Sequence, residues 1–185
     1  MHTNQLILGD NLEVLRSLPQ PIGVFIDGGN IFFSQKNMGW NIDWIQFKKL
    51  FPKNSIIRYF TAFDPNNQNQ IKHNSFLANN GFKLITKPLH TIKGNHKGNL
   101  DVELVWELSK RIVEFQSFVL VSGDGYFECV LSDLKNIFKK QVVVIGSSTN
   151  SNYKLVQNYR FVSLESIQSI ITKKNTPRQE QFTSH

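Results

Sequence analysis

Short apolar runs that lead to an acidic residue constrain the fold of this chain more than any other feature. Residues 22–26 form one such run and end at Asp27, while residues 118–121 lead through a short turn to Asp124. Asp101 follows a glycine-rich stretch between them. In an open parallel α/β sheet, the carboxyl ends of neighbouring strands converge on one crevice. We therefore predict that the three carboxylates meet there, where they could hold a divalent cation.

Apolar runs of strand length alternate with helical patterns along the chain. The predicted strands are residues 22–26, 55–63, 82–86, 118–121 and 141–145, with a weaker candidate at 160–162. The predicted helices are residues 44–51, 67–79, 101–115 and 126–138. Strands that are separated by helices imply right-handed crossovers between parallel strands. The pattern predicts an α/β fold with three α/β/α layers and a mainly parallel central sheet.

The length of 185 residues is sufficient for one domain with a full core. We predict a helical extension at residues 1–20, one domain at 21–171 and a flexible, weakly apolar tail at 172–185. The start of the chain has no basic segment followed by a long apolar stretch, so we predict no secretory signal. The one cysteine, Cys129, excludes an internal disulfide and fits a cytoplasmic location. Its apolar neighbours predict that it lies in the core.

The net charge of +7 and the isoelectric point near 9.5 favour a polyanionic partner. RNA and DNA both fit this charge, and a lysine surplus that is merely solvated is the alternative. No apolar run is long enough to cross a bilayer, so we predict no membrane contact. Composition leaves the formation of a homo-oligomer open.

Four motifs in order resemble the NYN domain, a LabA-like family of the PIN-like nuclease superfamily. They are Ile-Asp-Gly-Gly-Asn (26–30), Lys-Gly-Asn-Leu-Asp-Val-Glu-Leu (97–104), Val-Ser-Gly-Asp-Gly-Tyr-Phe (121–127) and Val-Val-Val-Ile-Gly (142–146). The resemblance runs over about residues 22–170. It implies a PIN-like Rossmannoid fold and a ribonuclease site that depends on Mg²⁺ or Mn²⁺.

The resemblance implies catalytic and metal-binding roles for Asp27, Asp101 and Asp124. Each has a structural alternative, because an aspartate at such a position can also cap a helix or complement its dipole. Asn30 and Ser122 are predicted to assist the metal ligands. Six residues advance a helix by about 600°, so Glu107 does not share the face of Asp101 and is predicted to have a supporting or structural role.

Tyr126 is the main departure from the family pattern. Similar proteins usually carry Ser-Gly-Asp-x-Asp-Phe, whereas this chain has Ser-Gly-Asp-Gly-Tyr-Phe at residues 122–127. A neutral phenol is a poor ligand for a hard cation. The chain therefore keeps enough acids for one metal ion, and the change could slow or abolish catalysis.

A basic, glycine-rich stretch follows the predicted strand at 82–86, leads into Asp101 and is predicted to be an open loop. Its predicted contacts to RNA phosphates are Lys87, Lys93, Lys97 and Asn99. A solvated loop without a ligand is the alternative. Two histidines in the stretch lack a further zinc ligand, so a zinc site is not predicted. The aromatic stripe Arg58, Tyr59 and Phe63 could either stack on bases or form strand core.

These observations predict a metal-dependent ribonuclease that hydrolyses phosphodiester bonds in RNA. The alternative is a catalytically weakened or inactive domain that serves as an RNA-binding or regulatory module, and Tyr126 is its best support. A nucleotide-binding Rossmann domain is disfavoured because no Gly-x-Gly-x-x-Gly follows a strand.

Overall fold

A computed structural model describes residues 8–92 and 95–172 of the protein. The strands in these ranges are β1 (Ile22–Asp27), β2 (Ile56–Phe63), β3 (Lys83–Pro88), β4 (His90–Ile92), β5 (Asn95–Lys97), β6 (Ser117–Val121), β7 (Gln141–Gly146) and β8 (Arg160–Ser163). The helices are α1 (Leu8–Arg16), α2 (Gly28–Met38), α3 (Trp44–Lys48), α4 (Gln68–Asn79), α5 (Asp101–Lys110), α6 (Glu128–Asn136), α7 (Tyr153–Asn158) and α8 (Gln168–Ile171). Short 3-10 turns span Gly125–Phe127 and Glu165–Ile167. None of the helices in these ranges has the length and apolar character that a membrane span requires.

Six strands form one parallel sheet in the order β3-β2-β1-β6-β7-β8. This arrangement confirms the predicted α/β class, and all six predicted strands are present. The chain builds outward from β1 to β3 and then returns to place β6 on the other side of β1. The strand order therefore reverses between β1 and β6, which is where ligands bind in open sheets of this kind.

Alternate residues of the strands supply two apolar cores, one on each face of the sheet. Val24 and Ile26 of β1 pack into a core with α1, α2, α3, α4 and α8. Phe25 packs into the second core, which includes Leu104 of α5 and Leu131 of α6, together with α7. Helices thus cover both faces, and the predicted three layers are confirmed. Because the faces are covered, ligands have access to the edges of the sheet.

Three local expectations differ from the structure. The stretch predicted as an open loop contains an antiparallel hairpin, in which β4 pairs with β5; residues 93 and 94 lie outside the described residues. Helix α5 ends at Lys110, before the predicted end, and turns follow it. Cys129 is exposed rather than buried. It lies two residues before Leu131 on α6, which rotates it about 200° away from the face that meets the core.

Candidate functional site

Asp27 lies where the strand order reverses, as the last residue of β1. Helix α2 begins at the next residue, Gly28, without an intervening loop. A Cβ atom at Gly28 would lie 2.6 Å from the carbonyl oxygen of Phe60 in the neighbouring strand β2. The close approach requires glycine here, and the tight turn holds the half-buried Asp27 side chain at the carboxyl edge of the sheet.

The Asp27 carboxylate accepts two hydrogen bonds. The backbone N–H of Asn30 donates to Oδ1 at 3.0 Å, and the hydroxyl of Ser122 donates to Oδ2 at 3.0 Å. Burial raises the pKa of Asp27, the two hydrogen bonds act in the opposite direction, and the negative charges of Asp101 and Asp124 raise the pKa further. This repulsion requires the charges to be near one another. The structure thus brings all three predicted aspartates to one edge, here named the acidic edge (Asp27, Asp101 and Asp124).

The segment after β6 is joined to the start of α2 by side-chain hydrogen bonds. The Gly123 N–H donates to the side-chain oxygen of Asn30 at 2.9 Å. The Asp124 N–H donates to the hydroxyl oxygen of Ser122 at 3.1 Å, so that Ser122 bridges Asp124 and Asp27. Asn30 and Ser122 therefore lie beside the aspartates, at the positions where they could orient them.

Asp101 begins α5 and is held by Asn99 through two contacts. The Asn99 amide donates to Oδ2 of Asp101 at 2.6 Å, and the Asp101 N–H donates to the Asn99 side-chain oxygen at 2.6 Å. Asn99 was predicted to contact RNA, whereas its contacts in the structure orient Asp101. The Asn-x-Asp spacing is typical of such a side-chain turn, and it is the signal in the sequence that would have indicated this role.

The acidic edge has donor atoms that suit a hard divalent cation, because Mg²⁺ and Mn²⁺ prefer carboxylate oxygens. In the part of the chain that the structure describes, no three His, Cys, Asp or Glu side chains are arranged as a ready-made ligand set. The influences on Asp27 include the negative charges of Asp101 and Asp124. A bound cation would offset that repulsion and lower the pKa of Asp27. The residues fit a metal in their chemistry, and the side chains would have to draw together to ligate it.

Tyr126 lies two residues after Asp124 in the first 3-10 turn. Its N–H donates to Oδ1 of Asp124 at 2.9 Å, and its side chain is 82% exposed. The nearby Glu128 does not replace the missing carboxylate, because its contacts are with the hydroxyl of Tyr159. The position at which the sequence resemblance implies an acid thus presents an aromatic ring to solvent.

The predicted phosphate contacts differ in how far the structure describes them. The ammonium of Lys87 donates to the carboxylate of Glu103 at 2.8 Å, and this hydrogen bond lowers the pKa of Glu103. Lys93 lies outside the described residues. The backbone of Lys97 belongs to β5, while its side chain lies outside the described part. Any phosphate that Lys87 binds must therefore share its ammonium with the carboxylate of Glu103 or displace that carboxylate.

Glu107 lies apart from the acidic edge. Its carboxylate pairs with Arg58 at 3.3 Å and Arg111 at 2.8 Å, and also with Lys110. Arg58 is near the amino end of β2, whereas the acidic edge lies at the carboxyl ends of the strands. Its guanidinium lies 5.6 Å from the ring centroid of Phe25. Removing one partner from a buried ion pair is strongly destabilising. These contacts favour the structural alternative for Glu107 over a supporting role beside a metal.

The core alternative is right for Arg58 and Tyr59 of the aromatic stripe of β2, whereas Phe63 is only half-buried. Arg58 and Tyr59 are buried, and the ring of Tyr59 packs edge-on against Trp44 with centroids 5.1 Å apart. Exposed rings occur elsewhere, at Tyr126 and Tyr153, which the sequence patterns did not indicate as a pair. The glycine before Tyr126 is a weak signal of close packing, because a Cβ at Gly125 would meet the side chain of Asn152.

Comparison with known proteins agrees with the motifs and with the fold. Residues 21–165 match the family described as NYN domain. The chain is 28% identical over 181 residues to the low amplitude and bright protein LabA of Synechococcus elongatus, covering 90% of this chain and 94% of that protein. It also resembles the crystal structure of a protein of unknown function from Vibrio parahaemolyticus, with a TM-score of 0.71 and 22% identity over 82% of this chain and 95% of the other. At that identity, the structural likeness supports the fold alone.

Proposed function

This chain belongs to the NYN domain family, and from this membership we propose that its residues 21–171 hydrolyse RNA phosphodiester bonds at the acidic edge with Mg²⁺ or Mn²⁺. The observation that supports the proposal is the electrostatic repulsion that Asp101 and Asp124 exert on Asp27, which ends β1 where the strand order reverses. Mutually repelling carboxylates at a ligand-binding edge are more typical of a functional site than of a structural one. We further propose that the substrate is RNA rather than DNA and that the protein acts in a reducing cytoplasm.

The roles follow from the contacts of each side chain. Asp27, Asp101 and Asp124 would hold the metal, which when bound stabilises charge on the attacking and leaving oxygens of the phosphoryl group. Ser122 and Asn30 fix the distance between the end of β1, which carries Asp27, and the segment after β6, which carries Asp124. These fixed contacts reduce the reorganisation that hydrolysis would otherwise require.

A second function, RNA binding or regulation without turnover, is favoured by one observation. Tyr126 presents an exposed ring where related proteins usually carry a further acid, so the site has one anionic oxygen donor fewer. Loss of one ligand weakens metal stabilisation of the transition state. RNA binding could persist without that ligand, because it depends mainly on basic and aromatic side chains.

Incubation of a labelled, unstructured single-stranded RNA with the protein tests the primary proposal. We expect cleavage with Mn²⁺ or Mg²⁺ and none with EDTA. Either ion should also raise the melting temperature, because it binds the folded state selectively. Asp124→Asn should abolish both effects while it retains a side-chain acceptor for the Tyr126 N–H. Absence of both a thermal shift and cleavage would contradict a metal-dependent nuclease.

The basic stretch beside the acidic edge should contribute to the salt dependence of RNA binding. Lys93→Ala combined with Lys97→Ala is expected to weaken binding and to reduce the slope of log K against log salt by about 1.4, or about 0.7 for each lost phosphate contact. Measurements of RNA affinity by fluorescence anisotropy at several salt concentrations give this slope. Lys139→Ala combined with Lys140→Ala is the control. It removes the same charge just before β7, at the amino ends of the strands and away from the acidic edge. Equal slopes for the two double variants would show that RNA docks elsewhere.

A further inference from the structure

Two exposed tyrosines lie on adjoining turns beside Asp124. The side chain of Tyr126 is 82% exposed and that of Tyr153 is 63% exposed. Among the side chains that the structure describes, no ring stacks on either of them. One exposed aromatic side chain is ordinary on a protein surface. Packing in the two apolar cores does not explain why two such side chains are exposed beside a carboxylate crevice.

The backbone holds both tyrosines in place. The Tyr126 N–H is bound to Asp124, and the N–H of Asn152, which immediately precedes Tyr153, donates to the carbonyl oxygen of Gly123 at 2.9 Å. The side chain of Asn152 also lies against Gly125, where a Cβ atom would be 2.4 Å from its nitrogen; the contact leaves no room for a side chain at residue 125. The segment that carries Asp124 is thus packed directly against the segment that carries Tyr153. Rings on anchored turns lose little conformational freedom when a ligand binds.

The surroundings of the two rings determine which part of a ligand they can accept. Negative charge at the acidic edge repels bare phosphate and leaves that group to a bound cation. A neutral phenol ring offers an apolar π-face, on which nucleobases stack with little dependence on sequence. Only an unpaired base exposes a free face, because bases inside a duplex already stack on their neighbours. The net charge of +7 favours a polyanionic ligand over an acidic or neutral apolar partner.

We propose that Tyr126 and Tyr153 stack on unpaired bases of single-stranded RNA and thereby position its backbone at Asp124. This inference rests on the proposed function and adds to it the two residues that recognise the bases of the substrate. Tyr126 is then a positioning residue for substrate as well as the replacement of an acid. Duplex RNA binds more weakly at this platform because it presents no free base face.

The test measures RNA affinity without cleavage, in EDTA and in the Asp124→Asn protein. The probes are a labelled unstructured RNA of about 12 nucleotides, a length within the footprint of single-strand-binding folds, and an abasic RNA of the same length. Tyr126→Ala and Tyr153→Ala are each expected to weaken binding of the base-containing RNA by about tenfold and to leave abasic RNA unchanged. Tyr126→Phe keeps the ring and should bind normally. Phe138→Ala is the matched control, because it removes an exposed ring after the end of α6, away from Asp124.

The outcomes separate this inference from the proposed nuclease activity. Equal losses on base-containing and abasic RNA, or no loss in either tyrosine variant, would overturn stacking whether or not the wild-type protein cleaves RNA. Base-dependent losses in a wild-type protein that cleaves nothing would support stacking and contradict the nuclease. Melting temperatures of the variants verify that each one is folded.

Discussion

Replacement of Asp27 with Asn is expected to lower RNA cleavage by at least about 100-fold, because metal stabilisation of phosphoryl transfer contributes several kcal/mol. The amide still offers an oxygen to the Asn30 N–H, and the hydroxyl of Ser122 can accept from the new NH₂ group. The turn should therefore survive while the anionic ligand is lost. Initial cleavage rates at saturating Mn²⁺ measure the effect.

The same substitution should preserve or raise the stability of the protein at neutral pH. Burial raises the pKa of Asp27 above its ordinary value, so the folded state binds a proton more tightly than the unfolded state. The contribution of this group to stability is complete below the ordinary pKa and is lost as the pH rises through the raised pKa. An asparagine side chain does not ionise, so the Asp27→Asn protein does not lose this stability as the pH rises. Urea unfolding of both proteins at acidic and neutral pH should show the difference between them growing with pH.

Asp43→Asn is the matched control for these measurements. Asp43 caps α3 by accepting from Ile45 and Gln46, just as Asp27 caps α2, and it lies after the end of α2 rather than at the acidic edge. It should leave cleavage unchanged. If Asp27→Asn also cleaved normally, the assignment of Asp27 as a metal ligand would be wrong, and its role would be that of a helix cap.

Replacement of Tyr126 with Asp is expected to raise metal-dependent turnover by about tenfold or more, since it adds an anionic oxygen two residues from Asp124. The same change removes an exposed ring, so the RNA concentration at half-maximal rate should increase. A higher kcat together with a higher KM is therefore the expected result. Single-turnover and steady-state assays on an unstructured RNA separate the two quantities.

Two further variants show whether a change in kcat or KM of the Tyr126→Asp protein comes from the added carboxylate or from the lost ring. Tyr126→Asn removes the ring without adding charge and should raise KM without raising kcat. Tyr126→Asp combined with Asp124→Asn should lose the gain, because the added carboxylate then has no metal to share. Cleavage by none of these variants, in folded protein that still binds RNA, would favour the binding module.

Local patterns in the sequence determined the strands and the chemistry of their ends. An apolar run of strand length followed by a turn can be recognised from neighbouring residues alone, so Asp27 and Asp124 were placed at strand ends correctly. The family motifs added the expected PIN-like fold and the identity of the acids. A local Asn-x-Asp signal at residues 99–101 also indicates the contacts of Asn99 with Asp101, while the predicted contact of Asn99 with RNA stays a prediction.

Only the tertiary structure decided which charges face one another. The strand order placed β1 beside β6 and allowed Ser122 to bond with Asp27 across 95 positions in the sequence. Long-range packing also paired Lys87 with Glu103 and directed Glu107 to the buried Arg58. Coulomb interactions and desolvation depend on distance in space and on burial. The spacing of residues along the chain determines neither the distance nor the burial. The sequence therefore indicated the candidate acids, while the fold determined which of them interact electrostatically.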